Sequence, residues 1–95
     1  MSRDDAQDAA AVSLDVVFGR VLQELRRERG LSQERLALES GYHRTYISLL
    51  ERGINGPSLD AIFQFAAVLD TSPSELVKKV EIRVGRIPRR ERRTP

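Results

Sequence analysis

Arg44, Thr45 and Ser48 are the side chains of this sequence with most to offer a hydrogen-bonding partner. Ile47 and Leu50, spaced i and i+3, would turn one side of a helix over residues 44–52 toward a core. That leaves Arg44, Thr45, Ser48 and Leu49 facing outward. The Arg44 guanidinium can give two hydrogen bonds to one base edge, O6 and N7 of guanine. A helix with a polar, donor-rich N-terminal half fits the major groove of B-DNA.

Other chemistries lack their residues. There is no cysteine, so neither a disulfide framework nor a thiolate metal site can form, which fits a reducing cytoplasm. His43 is the single histidine, with no cysteine or acid cluster beside it, so no metal site is expected. A Gly-rich phosphate loop and a serine nucleophile elbow are both absent, and the acids are scattered rather than grouped as a nuclease needs. The chain reads as a non-enzyme without a cofactor. No apolar run approaches the roughly 20 residues that span a bilayer, and residues 1–8 lack a signal peptide's basic start and apolar stretch. The expectation is a soluble, cytoplasmic protein with no membrane partner.

Five short helices must position the polar face. Leu14, Phe18, Val21, Leu22 and Leu25 form one helical stripe, capped by Ser13 and ended at Gly30. Ser32 caps a second helix running to Ser40, with Leu36 and Ala37 inward. Gly41 supplies a sharp turn, because a residue without Cβ adopts positive φ at little cost. The third helix covers 44–52 and stops at Gly53. Ser58 caps a fourth, whose stripe is Leu59, Ile62, Phe65, Ala66 and Leu69. Ser72-Pro73-Ser74-Glu75 has the form of a capping box opening a fifth helix through Leu76, Val77 and Val80. Residues 81–87 are ambiguous between helix and strand. The domain organisation expected is a disordered segment over 1–12, a helical domain over 13–82 and a basic tail over 83–95.

Charge is unevenly spread. Residues 78–95 carry eight basic and two acidic side chains, whereas residues 1–17 carry one base and four acids. Arg83, Arg86, Arg89, Arg90, Arg92 and Arg93 could form an arm reaching phosphates, or a tail that is merely solvated. Phe63 lies to one side of the fourth helix's apolar stripe, with Ala67 one turn on. An aromatic so placed suggests a protein contact, and with Val77 and Val80 it would line a two-fold interface.

Residues 31–53 read L-S-Q-E-R-L-A-L-E-S-G-Y-H-R-T-Y-I-S-L-L-E-R-G: two short helices across a glycine turn. Over about residues 18–77 the chain resembles the Xre/Cro-like helix-turn-helix family, which includes phage repressors. R-T-Y-I-S-L-L-E-R-G followed by P-S-L looks most like the controller proteins of restriction-modification systems. The resemblance implies an all-α, five-helix, lambda-repressor-like domain. It implies a transcriptional regulator binding double-stranded DNA, usually as a homodimer on a palindromic operator.

Carried over residue by residue, Gln33 contacts phosphate, while Arg44, Thr45 and Ser48 face base edges. Tyr46 lies near the DNA backbone, unless its ring folds over the second helix. Leu49 meets a thymine methyl group or flanks the core. His43 caps the third helix, touches phosphate or is an exposed turn residue. Arg26 and Glu51 match an ion pair between the first helix and the recognition helix. Relatives often read E-R-G-x-R-N-P-S in the following loop. Here Asn55 and Gly56 stand in the arginine and asparagine places, so Arg52 and the basic tail are expected to supply the missing contact. The rival reading is an antitoxin that binds a toxin protein and regulates its own operon. Genomic neighbourhood separates the two.

Overall fold

The structure, a computed structural model, describes residues 13–85 together with Ile87 and Arg89. Expectations for residues 1–12 and for Arg86, Arg90, Arg92 and Arg93 fall outside the described residues. Five helices follow one another: α1 (Leu14–Glu28), α2 (Gln33–Ser40), α3 (Arg44–Glu51), α4 (Leu59–Val68) and α5 (Pro73–Val84). Among the described residues there is no strand.

The starts of these helices follow from local chemistry. Ser13, Ser32, Ser58 and Ser72 each accept a hydrogen bond from the N–H three residues on, belonging to Val16, Arg35, Ala61 and Glu75. Such a cap satisfies one of the N–H groups a helix start leaves unpaired and stabilises by about 1 kcal/mol. At Ser72 only the forward half of the capping box forms. The second hydroxyl nearby, Ser74 Oγ, lies 3.1 Å from Ser72 Oγ. Gly41 closes α2 with φ 81°, the left-handed conformation of a helix C-cap, its N–H donating to the Ala37 carbonyl.

The core sits where α1 packs on α3 and α5, α2 packs on α3 and α4, and α4 packs on α5. Leu22, Leu36, Ile47, Leu50, Phe65 and Leu76 are sealed from solvent. Burying a side chain of this kind contributes about 1.5–3 kcal/mol.

Three expectations need correction. Leu14 and Leu59 were assigned to apolar stripes but are 51% and 71% exposed. Each is the first residue of its helix, where the side chain projects past the end of the core; Ala61 takes the buried place in α4. Residues 81–84, ambiguous in sequence, continue α5 to Val84, capped by Gly85. Arg83 therefore lies on α5. Its guanidinium donates two hydrogen bonds to Glu24, Nη1 to Oε2 at 2.9 Å and Nη2 to Oε1 at 2.8 Å. That clasp ties the last helix to the first.

Candidate nucleic-acid interface

The attitude of α3 is set at its C-terminal end. Glu51 is buried although charged, and its carboxylate meets side chains from two other helices, α1 and α2. Arg26 of α1 donates Nε to Oε2 at 2.6 Å and Nη2 to Oε1 at 2.9 Å. Its remaining Nη1 donates to the Leu31 carbonyl at 2.7 Å. Gln33 of α2 and Gln23 of α1 add amide donors to Oε1 at 3.0 and 3.3 Å. Burial pushes the Glu51 carboxyl up, but the hydrogen bonds of Arg26 and Gln33, the Arg26 charge and the Gln23 bond outweigh it. The group is held below the ordinary carboxylate range. The Arg26–Glu51 pair expected from sequence is thus present and bidentate.

A second constraint was not anticipated. Gly19 lies on α1 where the α3 backbone passes. A Cβ added there would sit 2.9 Å from the Glu51 carbonyl oxygen and nearer still to that of Leu50. Only hydrogen fits between these helices. The available signal was a glycine inside a helix, flanked by the core residues Phe18 and Val21. Glycine there costs about 1 kcal/mol relative to alanine, so a close backbone approach is its natural explanation.

The N-terminal half of α3 carries the polar face. Arg44 and Thr45 are exposed, while Ser48 and Leu49 are half-buried. Among the described residues, the side chains of Arg44, Thr45 and Ser48 make no hydrogen bond within the chain. Arg52 and Asn55 are exposed just beyond α3. The loop turns because the N–H groups of Ile54 and Asn55 both reach the Leu49 carbonyl, at 3.0 and 3.4 Å. A Cβ added at Gly56 would meet the Asp15 carboxylate, the end of a side chain that can turn aside.

Three sequence-selected residues are engaged inside the chain. The Gln33 amide goes to Glu51, as described, rather than standing free at the start of α2. His43 is the N-cap of α3, its Nδ1 accepting from the Thr45 N–H at 3.2 Å. Tyr46 is half-buried and folds toward α4 instead of α2. Its hydroxyl accepts from the Ser58 N–H at 3.3 Å, and its ring centroid lies 5.0 Å from Tyr42 and 6.5 Å from Phe65. Tyr42, overlooked in the sequence, completes this group by donating its hydroxyl to Asp60.

The residues selected for a two-fold interface separate. Phe63, Ala67 and Val77 are exposed, Phe63 by 53%. Val80 is 8% exposed and belongs to the core under α5, because its position on the helix points inward with Leu76.

Known proteins share this arrangement. A profile of the helix-turn-helix family matches residues 22–76. The control protein C.BamHI of Bacillus amyloliquefaciens is 38% identical over 66 residues, which are 68% of this chain and 82% of that protein. Among solved structures, the restriction-modification controller protein C.AhdI from Aeromonas hydrophila matches with a TM-score of 0.63. It is 48% identical and covers 65% of this chain and 94% of its own. SinR, a master regulator for biofilm formation solved in complex with DNA, matches with a TM-score of 0.60. It is 33% identical and covers 63% of this chain and 97% of its own. With its five helices in the lambda-repressor-like arrangement, the chain belongs to the helix-turn-helix family, in its Xre-like group, with restriction-modification controllers among its relatives.

Proposed function

We propose that the protein is a transcriptional regulator that inserts α3 into the major groove of double-stranded DNA, acting in the cytoplasm as a homodimer on a two-fold symmetric operator. One observation carries the reading: an exposed, donor-rich N-terminal half of α3, on a helix whose other end is fixed by buried charge. Relatives that are controllers of restriction-modification systems, and SinR with its bound DNA, support it. Arg44, Thr45 and Ser48 read base edges. Arg52 and Asn55 flank them and meet the backbone, and Leu49 offers its exposed edge to a thymine methyl group. Phosphate contacts set the register, and base-edge contacts carry the sequence preference.

Selection of bound duplexes from a random pool tests the reading, and a palindrome is the expected product. On that duplex Arg44→Ala should weaken binding by about 1–3 kcal/mol and relax preference at one position per half-site. Binding to random DNA should change far less. Equal losses on both would remove Arg44 as a base reader.

The dimer surface is assigned to Phe63, Ala67 and Val77. Phe63 is an aromatic side chain left half-exposed on α4, with Ala67 exposed one turn on. Phe63→Glu should convert a dimer into a monomer at micromolar concentration in sedimentation, with the helical circular dichroism unchanged. A variant that still dimerises would place the interface elsewhere.

A further inference from the structure

Asn55 is the chain's single asparagine, and the residue after it is Gly56. Asparagine is thermolabile because the next backbone nitrogen can attack its side-chain amide. Three features leave that attack open here. Both residues are exposed in the loop between α3 and α4, outside any helical hydrogen-bond ladder. Among the described residues, neither the Asn55 side-chain amide nor the Gly56 N–H makes a hydrogen bond within the chain, although the Asn55 N–H is held by the Leu49 carbonyl. Gly56 has no Cβ to crowd the ring that must form.

We propose that Asn55-Gly56 is a self-modification site, where deamidation sets a carboxylate beside the DNA-reading helix and lowers the affinity of aged protein for DNA. The effect on DNA rests on the reading of α3 given above; the modification does not. The Gly56 nitrogen bonds to Asn55 Cγ and loses its proton. The bond from Cγ to the amide nitrogen breaks, and that nitrogen takes up the proton and departs as ammonia. Water then opens the cyclic imide at either carbonyl, giving aspartate or its isomer with the main chain running through Cγ. Amide and water become carboxylic acid and ammonia, with no change of oxidation state.

Either product is ionised at neutral pH and lowers the formal net charge by one from +2. The new carboxylate stands where Asn55 would meet the phosphate backbone. The Asp15 carboxylate already stands against Gly56, so the loop gains a second anion beside the first. Added negative charge opposes a polyanionic partner. In the isomer the main chain also gains one carbon inside the turn closed on Leu49.

The full chain, held at 37 °C and pH 8, should gain about 1 Da in the tryptic fragment that begins at Gly53, with a matching acidic band in isoelectric focusing. The rate should equal that of a peptide of residues 52–58 to within about threefold, since the fold restrains neither reacting group. Gly56→Ala, whose methyl group crowds the ring-forming nitrogen, should slow the gain by about tenfold. With the duplex chosen by selection, aged wild type and fresh Asn55→Asp should both bind about five- to tenfold more weakly than fresh wild type, and the slope of log K against log salt should flatten by about 0.9. Preference over random DNA should hardly change, because charge facing phosphate carries no sequence information. Gly56→Ala, aged alongside, should keep its initial affinity. A wild-type chain that gains mass no faster than Gly56→Ala overturns the proposal, as does undiminished binding by aged wild type or by Asn55→Asp. Failure to select any preferred duplex would sink the DNA reading alone, because mass and charge decide the modification without DNA.

Discussion

Gly19→Ala should destabilise the domain by about 3 kcal/mol, although alanine favours an exposed helix by about 1 kcal/mol over glycine. The sign is the diagnostic. The new methyl group would meet the Leu50 and Glu51 carbonyl oxygens, and backbone cannot rotate aside as a side chain can. α1 and α3 must then separate, loosening Leu22 and Leu50 between them and dragging the Arg26–Glu51 hydrogen bonds off geometry. For a domain of this size each kcal/mol corresponds to roughly 4–8 °C, so the melting temperature should fall by at least about 12 °C. Thermal unfolding followed by circular dichroism measures it. A Gly19→Ala variant as stable as wild type would show that the helices do not approach so closely. DNA binding should suffer beyond the unfolded fraction, since the displacement acts directly on α3.

Removing either half of the buried ion pair should cost still more. Arg26→Met or Glu51→Leu alone leaves an unmatched charge inside, with an expected loss of about 3–5 kcal/mol. Total stability for a domain of this size is roughly 4–11 kcal/mol, so either single variant should be close to unfolding at 37 °C. The double variant Arg26→Met, Glu51→Leu should be more stable than either single one. Apolar replacement removes both desolvation penalties together, while a lone charge keeps its own. Denaturant unfolding of the four proteins gives the coupling energy, and strict additivity would mean that the pair is not coupled at all. The pair also fixes a pH dependence. The Glu51 carboxyl is held low in the folded state, so its contribution is complete above the ordinary carboxylate value of about 4.3. It is lost as pH falls through the lower folded value. In Glu51→Gln this part of the acid-side loss should disappear.

Much of the architecture was legible because its causes are local. Serine followed by a helical stripe marks a helix start through a bond that spans three residues. Gly41 marks its turn through backbone freedom alone. The Arg26–Glu51 pair was reachable only through resemblance, since 25 residues separate the partners. What escaped were features decided by a distant partner. Gly19 looks like a weak point in a helix until the α3 backbone is laid across it. Gln33 looks like a free amide at a helix start until Glu51 takes it up. Val80 and Phe63 were both assigned to a two-fold interface; packing of α5 on α1 buries the first, while α4 leaves the second outside. Arg83 reads as one more charge in a basic run, and only continuation of α5 brings it to Glu24, 59 residues away.

On the proposed DNA-reading role of α3, its anchoring at the C-terminal end bears on how duplexes of differing sequence would be accommodated. A helix pressed against the α1 backbone at Gly19 and held by four hydrogen bonds at Glu51 has little liberty to re-tilt. Adjustment then falls to the double helix, through changes of twist, roll and groove width. Flexible pyrimidine–purine steps make such changes inexpensive, and stiff A-tracts resist them. Base pairs that no side chain touches would then carry part of the discrimination through their elasticity.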